Sequence, residues 1–390
     1  MSRFWRARKP WFTVVDVLLG IVLAALLVLI TPLMASSSPS DTSTTSAPGQ
    51  TSSSVVTTTL MATTTTLAAS AFAWPKAGSA AIAVPQLAVM ATSPSQPTVP
   101  IASLTKLMTV WVVLHKLPLA PGQRGPCRTV TAHDVAIFQH EVVTGQSSVK
   151  IELGMTLCES TLLRGLLVRS AGDYVELLVE MTKLSKKQFV AEMNNAALAL
   201  GLVHTHYVDV TGISPRDIST AKEQILLTTA LINSEPIVRT IAALSSVSLP
   251  LVGQLPSYTP LVGQFNVVGV KSGFTDSAGA CDVMETKFKI GSTTVRVFAV
   301  VLGQHGAVPL TLVGWRALQL TTSVRNLIRL DPMSTTGALK WIGSSVDVVQ
   351  PPTTTTTTAP TTTTTATSTT TSTTSPPATT TTGSPIPGNS

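Results

Sequence analysis

A serine followed three residues later by a lysine is a pairing that can do nucleophilic chemistry. A serine hydroxyl is almost un-ionised near neutral pH and attacks a carbonyl only with a base within hydrogen-bond reach. A lysine one helical turn on shares its face and can be that base, provided burial or a neighbouring cation lowers its proton affinity. The 390-residue sequence carries the pattern three times, at Ser103/Lys106, Ser147/Lys150 and Ser219/Lys222. Chance alone supplies roughly one in a chain of this length, so the setting must choose between them. Ser103 and Lys106 open "SLTKLMTVWVVLHKL", which is apolar nearly all round and predicts a helix buried inside the protein. Ser103 alone would read equally well as its N-cap. Lys106 is different, because a lysine in a buried helix carries a desolvation cost unless it is paired or used. Ser147/Lys150 lies in "TGQSSVKIELG", a loop entering a strand with the lysine turned outward, and Ser219/Lys222 opens "DISTAKEQILLTTALI" as an N-cap and polar first turn. Both read as structural.

The elements that must hold Ser103 and Lys106 follow from periodicity. Ahead of them "AAIAVPQLAVMATSP" alternates and breaks like two short strands around a Pro turn. After them "STLLRGLLVRSAGDYVELLVEMTKL" and "SKKQFVAEMNNAALALGL" are helical patterns with polar breaks. The last third changes period: "NVVGVKSGFT", "GACDVMETKFKIGSTTVRVFAVVLGQ" and "GALKWIGSSVDVV" read as strands, with the helix "LVGWRALQLTTSVRNLIRL" before the last. Strands early, helices in the middle and strands late predict an α+β fold. An antiparallel sheet would be closed by both ends of the core, flanked by helices, with a helical insertion between.

Composition removes the chain ends from this core. Residues 351–390 and residues 36 to about 70 are dominated by Thr, Ser and Pro, which lack the apolar surface to offset chain entropy. These become a tail and a linker, leaving a folded domain over 72–350. The N-terminus carries Arg3, Arg6, Arg8 and Lys9, then an apolar run from Val14 to Met34. A basic flank followed by a run of about 20 residues predicts a membrane anchor with the remainder outside. A cleavable signal cut after Ala35 is the rival, and either way the core lies outside the cytoplasm. The net charge is +7, with four of the cations in that N-terminal flank. Without a dense Lys/Arg run or interleaved aromatics, the remainder does not point to nucleic acid; an anionic wall polymer or membrane surface suits it better. Outside the cytoplasm, three cysteines leave one unpaired if a disulfide forms. Cys127 begins "CRTVTAHDV" and Cys158 ends "VKIELGMTLC", both strand-like; as neighbours they would bridge, with Cys281 the odd one. Three small buried hydrophobes is the other reading. The six histidines are scattered and no Cys/His cluster has ligand spacing, so no metal is expected.

Two further motifs follow Ser103-x-x-Lys106 in order: "VRSAGDYVELL" with Ser170, and "GVKSGFTDSAGAC" with Lys271, Ser272 and Gly273. Together they resemble the three elements of the active-site serine penicillin-recognising enzymes, Ser-x-x-Lys, Ser-x-Asn and Lys-Ser/Thr-Gly. Within these the chain is similar to the low-molecular-mass D-alanyl-D-alanine carboxypeptidases; the stretches "WPKAGSAAIAV", "FVAEMNNAALALGL" and "THYVDVTGISPRDISTAKE" also look like that family's framework. The resemblance implies a β-lactamase/transpeptidase-like fold and a cofactor-free enzyme. It would remove the terminal D-alanine from peptidoglycan stem peptides through an acyl-enzyme on Ser103, with β-lactams as inhibitors. Lys106 would be the base, Ser170 would pass a proton to the leaving nitrogen, and Lys271 would lower the proton affinity of Lys106 and hold the substrate carboxylate. Ser272 and Thr275 would add hydrogen bonds, Gly273 would admit the substrate backbone, and the N–H groups of Ser103 and Phe274 would form the oxyanion hole. The chain departs from the pattern at Gly172, where the family has an Asn whose amide orients the lysine and the substrate. Asp173, water or a shifted backbone could cover its loss. A weakened wall-binding homologue is therefore an alternative, and a β-lactamase a third, though no glutamate motif stands out to activate its water.

Overall fold

The computed structural model describes residues 72–330 and 338–342. The chain divides into two units, 1–63 and 64–390, and everything below concerns the second. The apolar run Val14–Met34, the two Thr/Ser-rich tracts and the end of the last expected strand lie outside the described residues. Among the described residues no helix is long and apolar enough to cross a membrane.

In chain order the elements are β1 (Ser79–Val84), β2 (Val89–Thr92), β3 (Val99–Pro100), α1 (Thr105–Lys116), β4 (Cys127–Thr129), α2 (Ala132–Val143), β5 (Thr156–Cys158), α3 (Glu159–Arg169), α4 (Gly172–Met181), α5 (Lys186–Ala199), β6 (Ile218–Ser219), α6 (Ala221–Ser234) and α7 (Pro236–Ala242). Then come β7 (Ser246–Leu249), β8 (Gly253–Pro256), β9 (Val267–Thr275), β10 (Gly279–Ile290), β11 (Thr293–Gln304), α8 (Pro309–Arg325), β12 (Ile328–Leu330) and β13 (Leu339–Trp341). The main sheet has the order β2-β1-β11-β10-β9, with all its pairings antiparallel. Its first two strands come from the start of the domain and the others from the end, with the helices α1 to α7 inserted between, as the change of period predicts.

Strand residues alternate between two cores because successive side chains point to opposite faces. Ala81, Ala83, Val283, Phe298 and Val300 pack with the inserted helices, whereas Ile82, Val84, Met284, Val297 and Ala299 pack under α8 through Val313, Ala317, Leu320 and Val324. A sheet covered on both faces is mostly apolar on both, which explains why β1 and β11 lack the polar alternation of a half-exposed sheet. The β10–β11 hairpin turns through Gly291 and Ser292, with Gly291 at φ +60°, as a two-residue hairpin turn requires.

Two stretches that read as strands are mostly not strand. "CRTVTAHDV" is strand only over Cys127–Thr129; Thr131 then caps α2, accepting from the Asp134 N–H while the Asp134 carboxylate accepts from Thr131. This reciprocal cap converts "AHDV" into the first turn of a helix. "VKIELGMTLC" is likewise strand only over Thr156–Cys158. Cys127 and Cys158 still face each other across the β4–β5 pair and form a disulfide, while Cys281 is free and buried.

That bridge closes a loop with a sequence separation of 31. Loop-closure entropy assigns such a bridge about 3–4 kcal/mol. Denaturant unfolding of a Cys127→Ser/Cys158→Ser variant should show a loss of that order against the oxidised wild type. Coincident unfolding curves would show that the bridge contributes nothing.

Candidate active site

Ser103 lies in a 3₁₀ turn, Ala102–Leu104, immediately before α1. The helix receives no side-chain cap, so Ser103 is not serving as one. Its hydroxyl accepts from Lys106 Nζ at 3.0 Å, and the same ammonium donates to the Thr211 carbonyl at 2.6 Å. Lys106 is 3% exposed. Burial lowers its pKa to about 8, against the opposing charges of Glu141, Asp209, Asp217 and Glu176. An amine titrating there is partly neutral near physiological pH and can accept a proton from its hydroxyl neighbour. The competing pairs separate cleanly. Lys150 is half-exposed and ion-paired to Glu152, whereas Ser219 is buried against Thr205 beside Thr220, the true cap of α6.

Lys271 on β9 is fully buried and donates to Ser170 Oγ at 3.0 Å. Burial, reinforced by the charge of Lys106, holds Lys271 well below the usual lysine range. The sequence assigns Lys271 the task of lowering Lys106; in the structure desolvation is the largest cause of that lowering, and the repulsion between the two lysines is seen in the depression of Lys271. Ser170 itself ends α3 at φ +61°, and Ala102, next to the nucleophile, stands at φ +49°. Left-handed backbone at non-glycine residues is strained, and of the eight such residues among those described, these two lie in the candidate site.

A cleft of about 90 Å³ is lined by Ser103, Lys106, Gly172, Thr211, Phe274 and Thr275, among others. The expected residues therefore assemble in two layers: the nucleophile pair with Phe274 and Thr275 at the cleft, and Ser170 with Lys271 behind it. Gly273 explains how β9 approaches so closely, since a Cβ there would lie 2.6 Å from the Ser103 nitrogen. Ser272 departs from its expected role. Its hydroxyl donates to the Tyr258 carbonyl and the residue is 2% exposed, so it ties β9 to the preceding loop instead of meeting a substrate.

Two features escaped the sequence reading. The first is the segment from Val208 to Ser214, folded around the Asp209 carboxylate, which accepts from the N–H groups of Thr211, Gly212 and Ser214. Gly212 (φ +82°) runs against the nucleophile turn so tightly that a Cβ would fall 1.9 Å from the Ala102 carbonyl oxygen. The sequence signals were the Asp-x-Thr-Gly turn chemistry of "DVTGIS" and the family resemblance of the stretch around it, neither of which points to Lys106. The second is Glu141 on α2, buried at 4% exposure, whose carboxylate lies beside Gly172 and accepts from the Asp173 N–H at 2.8 Å. Asp173, a candidate to replace the missing Asn, instead turns its carboxylate to the Val149 N–H at 3.1 Å.

Burial, then the charge of Glu141, pushes the Asp173 carboxyl up to about 8. Between its unfolded value near ~4 and that raised value, the folded protein keeps a proton that the unfolded chain releases. Its contribution therefore favours the fold at low pH and is lost as pH rises. Asp173→Asn can keep the Val149 bond without titrating. The stability of the wild type relative to this variant should fall by several kcal/mol, to order of magnitude, as pH rises from about 4 to about 8. Thermal melts across that range would refute this cause if the difference stayed flat.

The model of the D-alanyl-D-alanine carboxypeptidase family, peptidase S11, matches residues 76–306. The chain is 32% identical over 198 residues to a D-alanyl-D-alanine endopeptidase of Pseudomonas aeruginosa, covering 48% of this chain and 59% of that protein. It is 30% identical over 180 residues to the D-alanyl-D-alanine carboxypeptidase DacA of Escherichia coli, covering 46% and 44%. It thus spans about half the length of the curated relatives it matches. Among solved structures, penicillin-binding protein 6B of Escherichia coli superposes with a TM-score of 0.57 at 26% identity, over 68% of this chain and 82% of that one. Penicillin-binding protein D2 of Listeria monocytogenes, in its ampicillin-bound form, gives 0.50 at 26%, over 63% and 97%. With the matched region containing the buried Ser103–Lys106 pair, the Ser170–Lys271 contact and the β9 edge, the chain belongs to the D-alanyl-D-alanine carboxypeptidase family.

Proposed function

We propose that the protein is a serine-type D-alanyl-D-alanine carboxypeptidase that removes the terminal D-alanine from peptidoglycan stem peptides. The observation that carries this reading is the buried Lys106 amine at 3.0 Å from Ser103 Oγ, on the wall of the cleft. In the neutral form Lys106 takes the hydroxyl proton as Ser103 attacks the carbonyl of the penultimate D-alanine. The N–H groups of Ser103 and Phe274 stabilise the oxyanion. Gly273 lets their two backbones come together. The proton passes through Ser170, held by Lys271, to the departing D-alanine nitrogen. The C–N bond breaks and an ester to Ser103 remains, which water hydrolyses with Lys106 again as base. A substrate carboxylate would offset the desolvation of Lys271 and favour its ammonium form, with Thr275 at the cleft as a further donor.

β-Lactams would acylate the same serine, a reading supported by the ampicillin-bound form of the Listeria relative. The basic flank and apolar run at the N-terminus support a domain held outside the cytoplasm, on a membrane anchor or after signal cleavage. The Cys127–Cys158 disulfide suits that oxidising setting. A second reading, a wall-binding homologue with weakened turnover, is favoured by one observation, the absence of a side-chain amide at Gly172.

Intact mass after incubation with benzylpenicillin should show one penicilloyl adduct on the wild type and none on Ser103→Ala. Release of D-alanine from a stem pentapeptide by the wild type should be lost in the same variant. Adduct without D-alanine release would select the wall-binding homologue; adduct on Ser103→Ala would remove the assignment of the nucleophile. Gly212→Ala should disturb the nucleophile turn. We expect acylation to fall at least about tenfold and stability by roughly 1–3 kcal/mol, the cost of a disfavoured backbone plus a steric clash. Wild-type acylation in that variant would show that the turn tolerates displacement.

A further inference from the structure

The side chain missing at Gly172 leaves room that another element fills. An ideal Cβ on Gly172 would lie 2.5 Å from Glu141 Oε1, 3.0 Å from its Cδ and 3.1 Å from Oε2. The Glu141 carboxyl therefore occupies the volume into which any side chain at 172 would project. It is fixed there by the Asp173 N–H at 2.8 Å, in the first turn of α4, and by the Gly172 N–H donating to the Ser147 carbonyl at 2.7 Å, which holds that turn against the loop. Gly172 and Lys106 line the same cleft. Of the charges acting on Lys106, that of Glu141 is the largest, ahead of Asp209, Asp217 and Glu176.

We propose that Glu141 is a positioning residue for Lys106, with its carboxylate reaching through the gap at Gly172 to do from α2 what a side-chain amide at 172 would do from α4. Glu141 and Gly172 are then a matched pair: the glutamate needs the glycine's space, and the glycine is tolerated because the glutamate supplies the polar partner. This rests on the reading of Ser103 and Lys106 as nucleophile and base. An amide offers a fixed dipole, whereas a carboxylate offers a charge that raises the proton affinity of Lys106 and is itself titratable. Burial pushes Glu141 up to about 7, against the lowering effects of the Asp173 N–H and the Lys106 charge. The site should therefore be tuned by a second proton close to that of the lysine.

The groups around Glu141 and Lys106 are Asp173 and Glu176 on α4, Lys186 on α5, Asp209 and Asp217 in the segment between α5 and β6, and Lys271 on β9. His133 and His140 of α2 line a second cavity alongside Glu141. All are retained in Glu141→Gln, which preserves shape and removes only the charge. Asp173 will ionise more readily in this variant, so the shift is also measured in an Asp173→Asn background, where that charge cannot form.

The experiment is the rate of acylation by benzylpenicillin from pH 5 to 10 in the wild type, Glu141→Gln and Gly172→Ala. Acylation should rise with pH as Lys106 loses its proton. In Glu141→Gln the midpoint should move to lower pH by about one unit, the scale of one lost charge neighbour. Gly172→Ala, whose methyl displaces the carboxyl, should move it the same way. Gly172→Asn alone should lose acylation about tenfold or more, and Glu141→Ala/Gly172→Asn should recover most of it. Thermal melts identify any variant that fails to fold, leaving the others to decide. Midpoints that coincide with the wild type in folded variants would overturn the role of Glu141 alone. A wild type that never acylates at any pH would overturn the nucleophile reading and this inference with it.

Discussion

A lysine that must be buried to be useful sets the terms for everything around it. An ammonium withdrawn from water is costly unless hydrogen bonds replace its hydration. Here the replacements are the Ser103 hydroxyl and the Thr211 carbonyl, with acidic groups at longer range. Burial makes the amine a plausible base, and the acids keep it from becoming merely a neutral core residue. The all-round apolar helix α1 supplies the burial, the segment around Asp209 supplies the carbonyl, and the edge strand β9 closes the other side. Each of these elements comes from a different third of the domain, so the constellation exists only once the sheet has joined the two ends of the core.

Lys271 faces the same problem with a different solution. It is fully buried, bonded to Ser170, and depressed by burial and by its fellow lysine. Two cationic side chains sharing one interior region resist simultaneous protonation. Under the proposed function, a substrate carboxylate brought to Lys271 would offset both parts of that cost, coupling substrate binding to proton distribution through charge.

What the sequence disclosed follows from which forces are local. The buried helix, the two strands around Pro85 and the β10–β11 hairpin were readable because apolar period and turn residues are carried by neighbours in the chain. The disulfide was readable as a possibility, since it needed only two cysteines on adjoining strands. Helix α2 was misread because its apolar pattern is weak and its start is set by one reciprocal cap at Thr131 and Asp134. In the site, Lys106 was legible because a lysine is costly in a buried helix, and Ser103, Ser170 and Lys271 because their motifs resemble a known family; the Ser170–Lys271 contact was not foreseen. Thr211, Gly212 and Glu141 were not, because a carbonyl has no residue signature and a buried glutamate 35 positions from its lysine looks like any helical surface residue. The expectation that Ser272 meets substrate failed because alternation along β9 does not reveal that Tyr258 lies against it.

The bond from Lys106 to the Thr211 carbonyl has a consequence for how this region can drift. The acceptor belongs to the main chain, so exchanging the threonine for another residue leaves it in place. Tolerance at 211 and intolerance at 212 should thus sit side by side. The chain can vary the chemistry presented at the cleft through one residue, while its neighbour, free to adopt a backbone that others resist, safeguards the path that delivers the oxygen.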